Sequence, residues 1–195
     1  MDIDAKLVKL IGKLVQSFKG LHVEKAVNEV FVTDLSTCQV KKRYFDEKAK
    51  DGEIGYALRG NIVHDYVERF FMSRGFRTEV PIEKDFGDFV LRGRIDVVFD
   101  GHPLEIKSSR SSLYEYFLQT MIYAYMMGVD YGYVLIIDNK VYLYRVSLDG
   151  KVIELSSGES FNVPFSVDED VIRSLYKLYK RGELIGQMNQ CVTCP

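Results

Sequence analysis

Hydrophobic positions follow two different periods along this chain, and the change of period separates helical from extended stretches. Apolar residues recur every three or four positions from Ile3 to Phe18, which predicts an amphipathic helix ending before Gly20. The same spacing predicts a helix from about Ile54 to Arg74 that stops at Gly75, with His64 and Glu68 on one stripe. A last amphipathic helix is predicted over 167–180.

Between the second helix and the last, the spacing becomes that of strands separated by short turns. The turns are predicted at Gly87-Asp88, at 100–103 and at Asp138-Asn139. A helix capped by Ser111 or Ser112 and ended by Gly128 interrupts the strands. The predicted strands are 80–86, 89–99, 104–108, 131–137, 141–146 and 151–155. This order predicts an α/β fold, a sheet with helices at its sides, in one domain over 1–195.

Composition and charge narrow the classes of function. The chain has 195 residues and a net charge of −2, which excludes a polycation that coats nucleic acid, so any DNA site must be a local basic patch. There is no run of about 18 apolar residues, and the acidic start does not resemble a secretory signal, so no membrane association is expected. Three cysteines, an odd number, favour a reducing compartment, and we expect a cytoplasmic protein.

The strongest chemical signal is a pair of predicted strands that carry Asp96 on one and Glu105 and Lys107 on the other. Side chains two apart on a strand point the same way, and a tight hairpin would bring Asp96 beside them. Neighbouring carboxylates repel one another unless a cation lies between them, and oxygen ligands, including the carbonyl of Ile106, favour Mg²⁺ or Mn²⁺. A lone E-x-K is more often a surface ion pair, so the motif needs supporting context.

That context is supplied by His64 upstream and by Gln119 and Tyr123 four apart on the next helix. Together, His64, Gly93-Arg94-Ile95-Asp96, Glu105-Ile106-Lys107 and Gln119-Thr120-Met121-Ile122-Tyr123 resemble, in order, the motifs of the RecB-like branch of the PD-(D/E)XK nucleases. The resemblance implies a restriction-endonuclease-like core with a mixed central sheet over 54–147, between an N-terminal helical segment (1–53) and a C-terminal segment (148–195).

The resemblance also implies roles for these residues. His64, Asp96, Glu105 and the Ile106 carbonyl would hold the metal, Lys107 would serve the attacking water, and Gln119 and Tyr123 would position the substrate and the catalytic groups. Spacing alone supports only the cluster of Asp96, Glu105 and Lys107.

The cysteines refine the resemblance. Cys191 and Cys194 form a C-x-x-C, a spacing that lets two thiolates bind one metal or cluster. Cys38 lies far upstream, on a short predicted helix capped by Thr33 or Asp34. The layout and the chain length resemble the CRISPR-associated exonucleases, in which one cysteine before the nuclease core and three after it hold an iron–sulfur cluster. This sequence has three cysteines in all, so the fourth ligand, or the cluster itself, stays open.

The expected partners follow from the same family. The resemblance implies a DNA exonuclease on single-stranded or splayed ends, acting in CRISPR spacer acquisition with the integrase complex, and leaves a homo-oligomer open. Two alternatives are a structure-specific or restriction-type endonuclease of the same fold, and a non-catalytic DNA-binding subunit with a zinc or iron–sulfur site. The candidate DNA-binding residues are basic: Lys41, Lys42, Arg43, Arg92, Arg94 and Arg110.

Overall fold

A single mixed β-sheet organises the part of the chain that the computed structural model describes, residues 28–39, 42 and 55–183. Within that part the strands are β1 (Glu29–Phe31), β2 (Arg77–Asp85), β3 (Val90–Phe99), β4 (His102–Lys107), β5 (Tyr131–Ile137), β6 (Val141–Ser147), β7 (Lys151–Glu154) and β8 (Ser160–Asn162). The helices are α1 (Val32–Ser36), α2 (Gly55–Met72), α3 (Leu113–Met127) and α4 (Glu169–Arg181).

Strand β3 is the centre of the sheet because three other strands pair with it. β2 runs antiparallel along one of its edges. On the other edge, β1 pairs parallel with 90–92 and β4 pairs antiparallel with 97–99, so this edge is divided between two strands. β4 continues the sheet to a parallel β5, and β6, β7 and β8 follow antiparallel. The expectation of a mixed sheet flanked by helices is confirmed.

The sheet buries apolar side chains on both faces. α3 covers the larger core, where Phe117, Met121 and Ile122 pack against strand residues such as Val134 and Ile136. α2 covers a smaller core on the opposite face, made of Val67, Val97, Leu104 and Ile106. Since burial of apolar area is the main favourable term in folding, these two layers fix the positions of α2 and α3 against β3 and β4.

Helix ends follow the local chemistry of the sequence. Gly128 has a left-handed backbone (φ 71°), and its N–H closes the last turn of α3, as expected for a glycine that ends a helix. Asp168 caps α4 by accepting a hydrogen bond from the Val171 backbone at 2.8 Å. Asp34 acts from inside α1 instead: its carboxylate accepts from the Phe31 N–H at 2.9 Å. The N-cap is Phe31, so the prediction that Thr33 or Asp34 caps the helix is wrong by two or three residues.

Most predicted elements are confirmed within a few residues, with some exceptions. The turn predicted over 100–103 comprises only Asp100 and Gly101, both with positive φ, and His102 already belongs to β4. The helical period of α2 groups Phe70 with the apolar positions Val63 and Val67, but the Phe70 side chain is 43% exposed. α1 ends at Ser36, before Cys38. The short strands β1 and β8 had no counterpart in the prediction, and the predicted helix over 3–18 lies outside the described residues.

No helix in the described ranges combines the length and the apolar character that crossing a membrane requires.

Replacing Gly132 tests the close approach of α3 to the sheet. A Cβ at Gly132 would lie 2.6 Å from Thr120 Cγ2 and 2.8 Å from Pro103 Cγ, so we expect Gly132→Ala to lower the free energy of unfolding by about 1–3 kcal/mol. A Cβ at Gly60, inside α2, would meet Ser108 Oγ at an ordinary contact distance of 3.5 Å, so Gly60→Ala should raise the free energy of unfolding by about 0.5–1 kcal/mol. Urea denaturation measures both, and equal effects in the two variants would contradict the packing.

Candidate metal centre

The candidate centre lies where β3 separates from its neighbours. β4 pairs with β3 only at residues 97–99 and β1 only at 90–92, so residues 93–96 face a gap between the two. On the other edge, every residue of β3 except Asp96 and Phe99 has a partner in β2. Asp96 is therefore the one residue inside β3 that has no ladder partner on either edge, within the described part of the chain.

The alternation of β3 also reverses at this residue. Leu91 and Ile95 belong to the core under α3, whereas Val97 belongs to the core under α2 and Val98 returns to the first. Regular pleating would place 95 and 97 on one face. The alternation of the strand therefore shifts by one residue at Asp96. Side chains from both faces of the sheet can reach the gap between β3 and β4 at this position.

The Asp96 carboxylate takes over the role of the missing ladder bond. Its Oδ2 accepts a hydrogen bond from the Ile106 N–H at 2.7 Å, which joins β3 to β4 beyond the point where their backbones separate. A hydrogen bond to a charged acceptor is stronger than a neutral one. The bond therefore fixes Asp96 next to the strand segment Glu105–Lys107.

Glu105 and Lys107 approach from the α3 face of the sheet. The Lys107 ammonium donates to Glu105 Oε2 at 3.1 Å, and the Glu105 side chain is only 1% exposed. Its second oxygen, Oε1, is buried with no hydrogen-bond partner among the described residues. Burial of a carboxylate oxygen without a partner costs free energy, and a bound cation would offset that cost.

His64 and Glu68 approach from the α2 face, one helical turn apart. His64 Nδ1 lies 3.6 Å from Asp96 Oδ2 and 3.7 Å from Glu68 Oε1. One ligand atom from each of the three residues fits within a span of 4.8 Å. The Ile106 peptide reaches the same place, because its N–H donates to Asp96 Oδ2. Glu105 lies outside this closest group, and Glu68, not expected as a ligand, lies inside it.

Burial, followed by the crowding of carboxyl groups, changes the pKa values of the site in the absence of a cation. Burial raises the pKa of Glu105 to about 8, and the nearby charge of Asp96 adds to the rise. Burial and then the neighbouring Glu79 raise the pKa of Glu68 to about 8. Burial lowers the pKa of His64. For Lys107, burial is outweighed by Glu105 and Asp96, which raise its pKa, so the side chain carries a proton.

Tyr123 holds β3 in place through the backbone rather than through another side chain. Its hydroxyl accepts from the Arg94 N–H at 3.2 Å and donates to the Arg94 carbonyl at 3.1 Å. Its ring lies directly on Gly93, where any Cβ would collide with it. Gln119, one turn earlier on α3, is buried on the same face of the helix. Gly93 and Tyr123 thus form one clamp on the Arg94 backbone, two residues before Asp96.

Two open clefts meet at the centre. One, of about 600 Å³, contains Asp96, Glu105, Lys107, Gln119 and Tyr123, and its other wall is the junction of β1 and α1 at residues 31–33. The second, of about 660 Å³, contains His64, Glu68, Glu79 and Asp96. Arg94 and Asp96 line both clefts. All the residues that the sequence proposed for catalysis therefore face this one region.

The remaining predicted residues have different surroundings. Lys42 pairs with Asp34 at 2.9 Å, Arg92 lies between Glu29 (2.6 Å) and Glu83 (3.3 Å), and Arg110 stacks on the Tyr142 ring at 4.2 Å. None of these three lines the two clefts. Cys38 is buried at 6% exposure. Four predicted residues, Lys41, Arg43, Cys191 and Cys194, lie outside the described residues.

Two acidic residues at the centre were not expected from the sequence. Glu68 had a usable signal, because a histidine and a glutamate four apart on a helix share one face. Glu79 had none: it lies on β2, opposite Asp96, with a left-handed backbone that no strand pattern indicates.

Comparison with known proteins bears on the fold. Neither a family model nor a curated protein matches the sequence. Among solved structures, the chain is similar to one described as "Crystal structure of SSO0001", with a TM-score of 0.65 and 21% sequence identity over 88% of this chain and 86% of that one. At that identity, the likeness establishes a shared α/β fold.

The acidity of the centre predicts how stability depends on pH when cations are removed. Because folding raises the pKa of Glu105 from 4.5 to about 8, the folded state retains a proton that the unfolded state loses. The free energy of unfolding should therefore decrease as the pH rises from 5 to 8. Glu105→Gln should make the decrease smaller. Urea denaturation in EDTA at several pH values measures this, and identical slopes in the two proteins would contradict the assignment.

The tyrosine clamp predicts a large effect from the loss of one oxygen atom. Tyr123→Phe removes both hydrogen bonds to Arg94 and leaves that peptide unpartnered, so we expect it to destabilise the fold by about 1–3 kcal/mol. Tyr66 is 73% exposed, and Tyr66→Phe should change stability by less than about 0.5 kcal/mol. Chemical denaturation compares the two, and a neutral Tyr123→Phe would show that the clamp contributes nothing.

Proposed function

We propose that this protein is a metal-dependent DNA nuclease with a restriction-endonuclease-like core. The observation that carries the proposal is the release of Asp96 from both edges of β3, at a point that Glu105 and Lys107 reach from one face of the sheet and His64 and Glu68 from the other. A purely structural ion pair would not need a buried carboxylate oxygen without a partner.

The residues present fit a divalent cation. Asp96 and Glu105 supply carboxylate oxygens, and His64, Glu68 and the Ile106 carbonyl supply further ligands of the kind that Mn²⁺ and Mg²⁺ accept. A cation bound there would lower the pKa of a water molecule and offset the charge of a phosphate. It would also satisfy the buried Oε1 of Glu105.

Lys107 acts in this proposal as a donor and not as a base. Its raised pKa keeps it protonated, and its ammonium group lies against Glu105 on the wall of the cleft. A protonated lysine there can orient an attacking water or neutralise a phosphate oxygen. Tyr123 is a positioning residue, because it fixes the backbone that carries Asp96, and Gln119 lines the cleft beside it.

DNA as the substrate, and its unpaired ends in particular, come from the resemblance of the four motifs to RecB-like nucleases. The cleft beside Lys107 is bounded by residues 31–33 of the β1–α1 junction, which leaves about 600 Å³. A role in CRISPR spacer acquisition, with the integrase complex as partner, belongs to the same proposal and rests on the motif order and the cysteine pattern.

Three substitutions test the reaction. Asp96→Asn, Glu105→Gln and Lys107→Ala should each reduce cleavage of end-labelled single-stranded DNA by at least about a hundredfold in Mn²⁺, because each removes a ligand or donor that acts on the phosphate. Thermal melting verifies that the variants fold. Circular single-stranded DNA should resist the wild-type enzyme if it attacks ends, and nicking of a supercoiled plasmid would instead favour an endonuclease.

The matched control is Asp88→Asn. Asp88 lies in the turn between β2 and β3, where its carboxylate pairs with Arg173 at 2.7 Å, and it lines neither cleft. The substitution removes one carboxylate charge away from the centre, and the variant should cleave like the wild type. Full activity in all three variants at the centre would refute the nuclease proposal.

A further inference from the structure

Glu79 is held in a conformation that a strand residue rarely adopts. Its φ is +54°, although it has a Cβ and lies within β2, and it is opposite Asp96. The β2–β3 ladder has partners on both sides of this position but not at it. A left-handed non-glycine residue costs free energy, and such residues concentrate at functional sites.

The left-handed backbone of Glu79 determines where its carboxylate lies. It pairs with the Arg94 guanidinium, Nε to Oε2, at 2.6 Å, and it lines the same cleft as Glu68. Arg94 is 67% exposed at its side chain and lines both clefts. Among the described residues, it is the only arginine that lines either of them.

The neighbourhood of Arg94 has the wrong charge for DNA. The two clefts are lined by more acids than bases, namely Asp65, Glu68, Glu79, Asp96 and Glu105 against Arg94, Lys107 and His64. A guanidinium is the side chain best suited to a phosphate, since its fork of N–H groups matches two oxygens. In the free protein, that fork faces Glu79.

We propose that Glu79 occupies the place of a DNA phosphate: its carboxylate holds Arg94 at the junction of the two clefts until a backbone phosphate of the bound strand displaces it. The proposal deepens the proposed function, because it rests on DNA as the ligand of this cleft. The exchange replaces one charge-assisted contact of Arg94 with another, so the arginine is aligned before the substrate arrives. Glu79 is thus a positioning residue that makes the cleft selective for a ligand able to compete with a carboxylate.

A second arginine on β3 provides an internal comparison. Arg92 also pairs with a β2 glutamate, Glu83, but Glu29 holds it from the other side at 2.6 Å. Removal of the Glu83 charge therefore leaves Arg92 held, whereas removal of the Glu79 charge leaves Arg94 free for a phosphate. Glu83→Gln is the matched control for Glu79→Gln, because both remove one negative charge from the same strand.

The test measures binding of a fluorescein-labelled 12-nucleotide oligo(dT) in EDTA by fluorescence anisotropy. Glu79→Gln should tighten the Kd about two- to fivefold, the range expected when one exposed ion pair no longer competes. Glu83→Gln should leave the Kd unchanged. Arg94→Gln should weaken binding, and Glu79→Gln should give no gain when added to it.

Several outcomes would overturn the proposal. These are unchanged or weaker binding by Glu79→Gln, an equal gain in Glu83→Gln, an equal gain in the Arg94→Gln background, or no binding by the wild type. Glu79→Asn, which suits a left-handed backbone, repeats the test if the glutamine variant folds poorly, as thermal melting would reveal. Because no cation is present, the result is independent of cleavage, and a failure of the nuclease proposal would be seen separately in the activity assay.

Discussion

The structure around the centre depends on one hydrogen bond between β3 and β4. Its acceptor is a side-chain carboxylate, where a regular ladder would use a backbone carbonyl. The two strands are paired at the hairpin but separate before they reach Asp96, and Asp96 Oδ2 then receives the Ile106 N–H. If the ladder continued, the Ile106 peptide would be used within the sheet and the gap would close. The break in pairing thus brings candidate metal ligands from both faces of the sheet to one space.

A strand segment without ladder hydrogen bonds gains conformational freedom, so contacts from another element must hold it in place. Tyr123 provides it by bonding to both polar groups of the Arg94 backbone, and the absence of a side chain at Gly93 lets its ring approach. The raised pKa of the buried Tyr123 hydroxyl keeps it a donor. Gly93 and Tyr123, 30 residues apart in the sequence, therefore act together: the tyrosine can bond to the Arg94 backbone only because residue 93 has no side chain.

The elements could be predicted from sequence because their causes are local, whereas the details of the centre have causes that span the fold. Periodicity located α2, α3 and α4, glycines marked the ends of α2 and α3, and strand alternation located β3 to β7. The pairing of β1 with β3 depends on a long-range contact of only three residues, which no local pattern indicates. Spacing placed Glu105 and Lys107 on one face. The reversal of alternation at Asp96 and the left-handed backbone of Glu79 instead arise where β3 separates from β4.

The separation of β3 from β4 also brings acidic side chains together, which lowers stability but suits the binding of a cation. Four of the acidic side chains at the clefts come from four different elements, Glu68 from α2, Glu79 from β2, Asp96 from β3 and Glu105 from β4, so their repulsion acts against the packing that the sheet and α2 provide. In the free protein, protons on Glu68 and Glu105, together with Lys107 and Arg94, reduce that repulsion. A cation would relieve it more completely than protons do, because it satisfies several oxygens at once. The fold is therefore under strain at the place where a ligand is expected, and the same charges that destabilise the free centre would supply its affinity for a divalent ion.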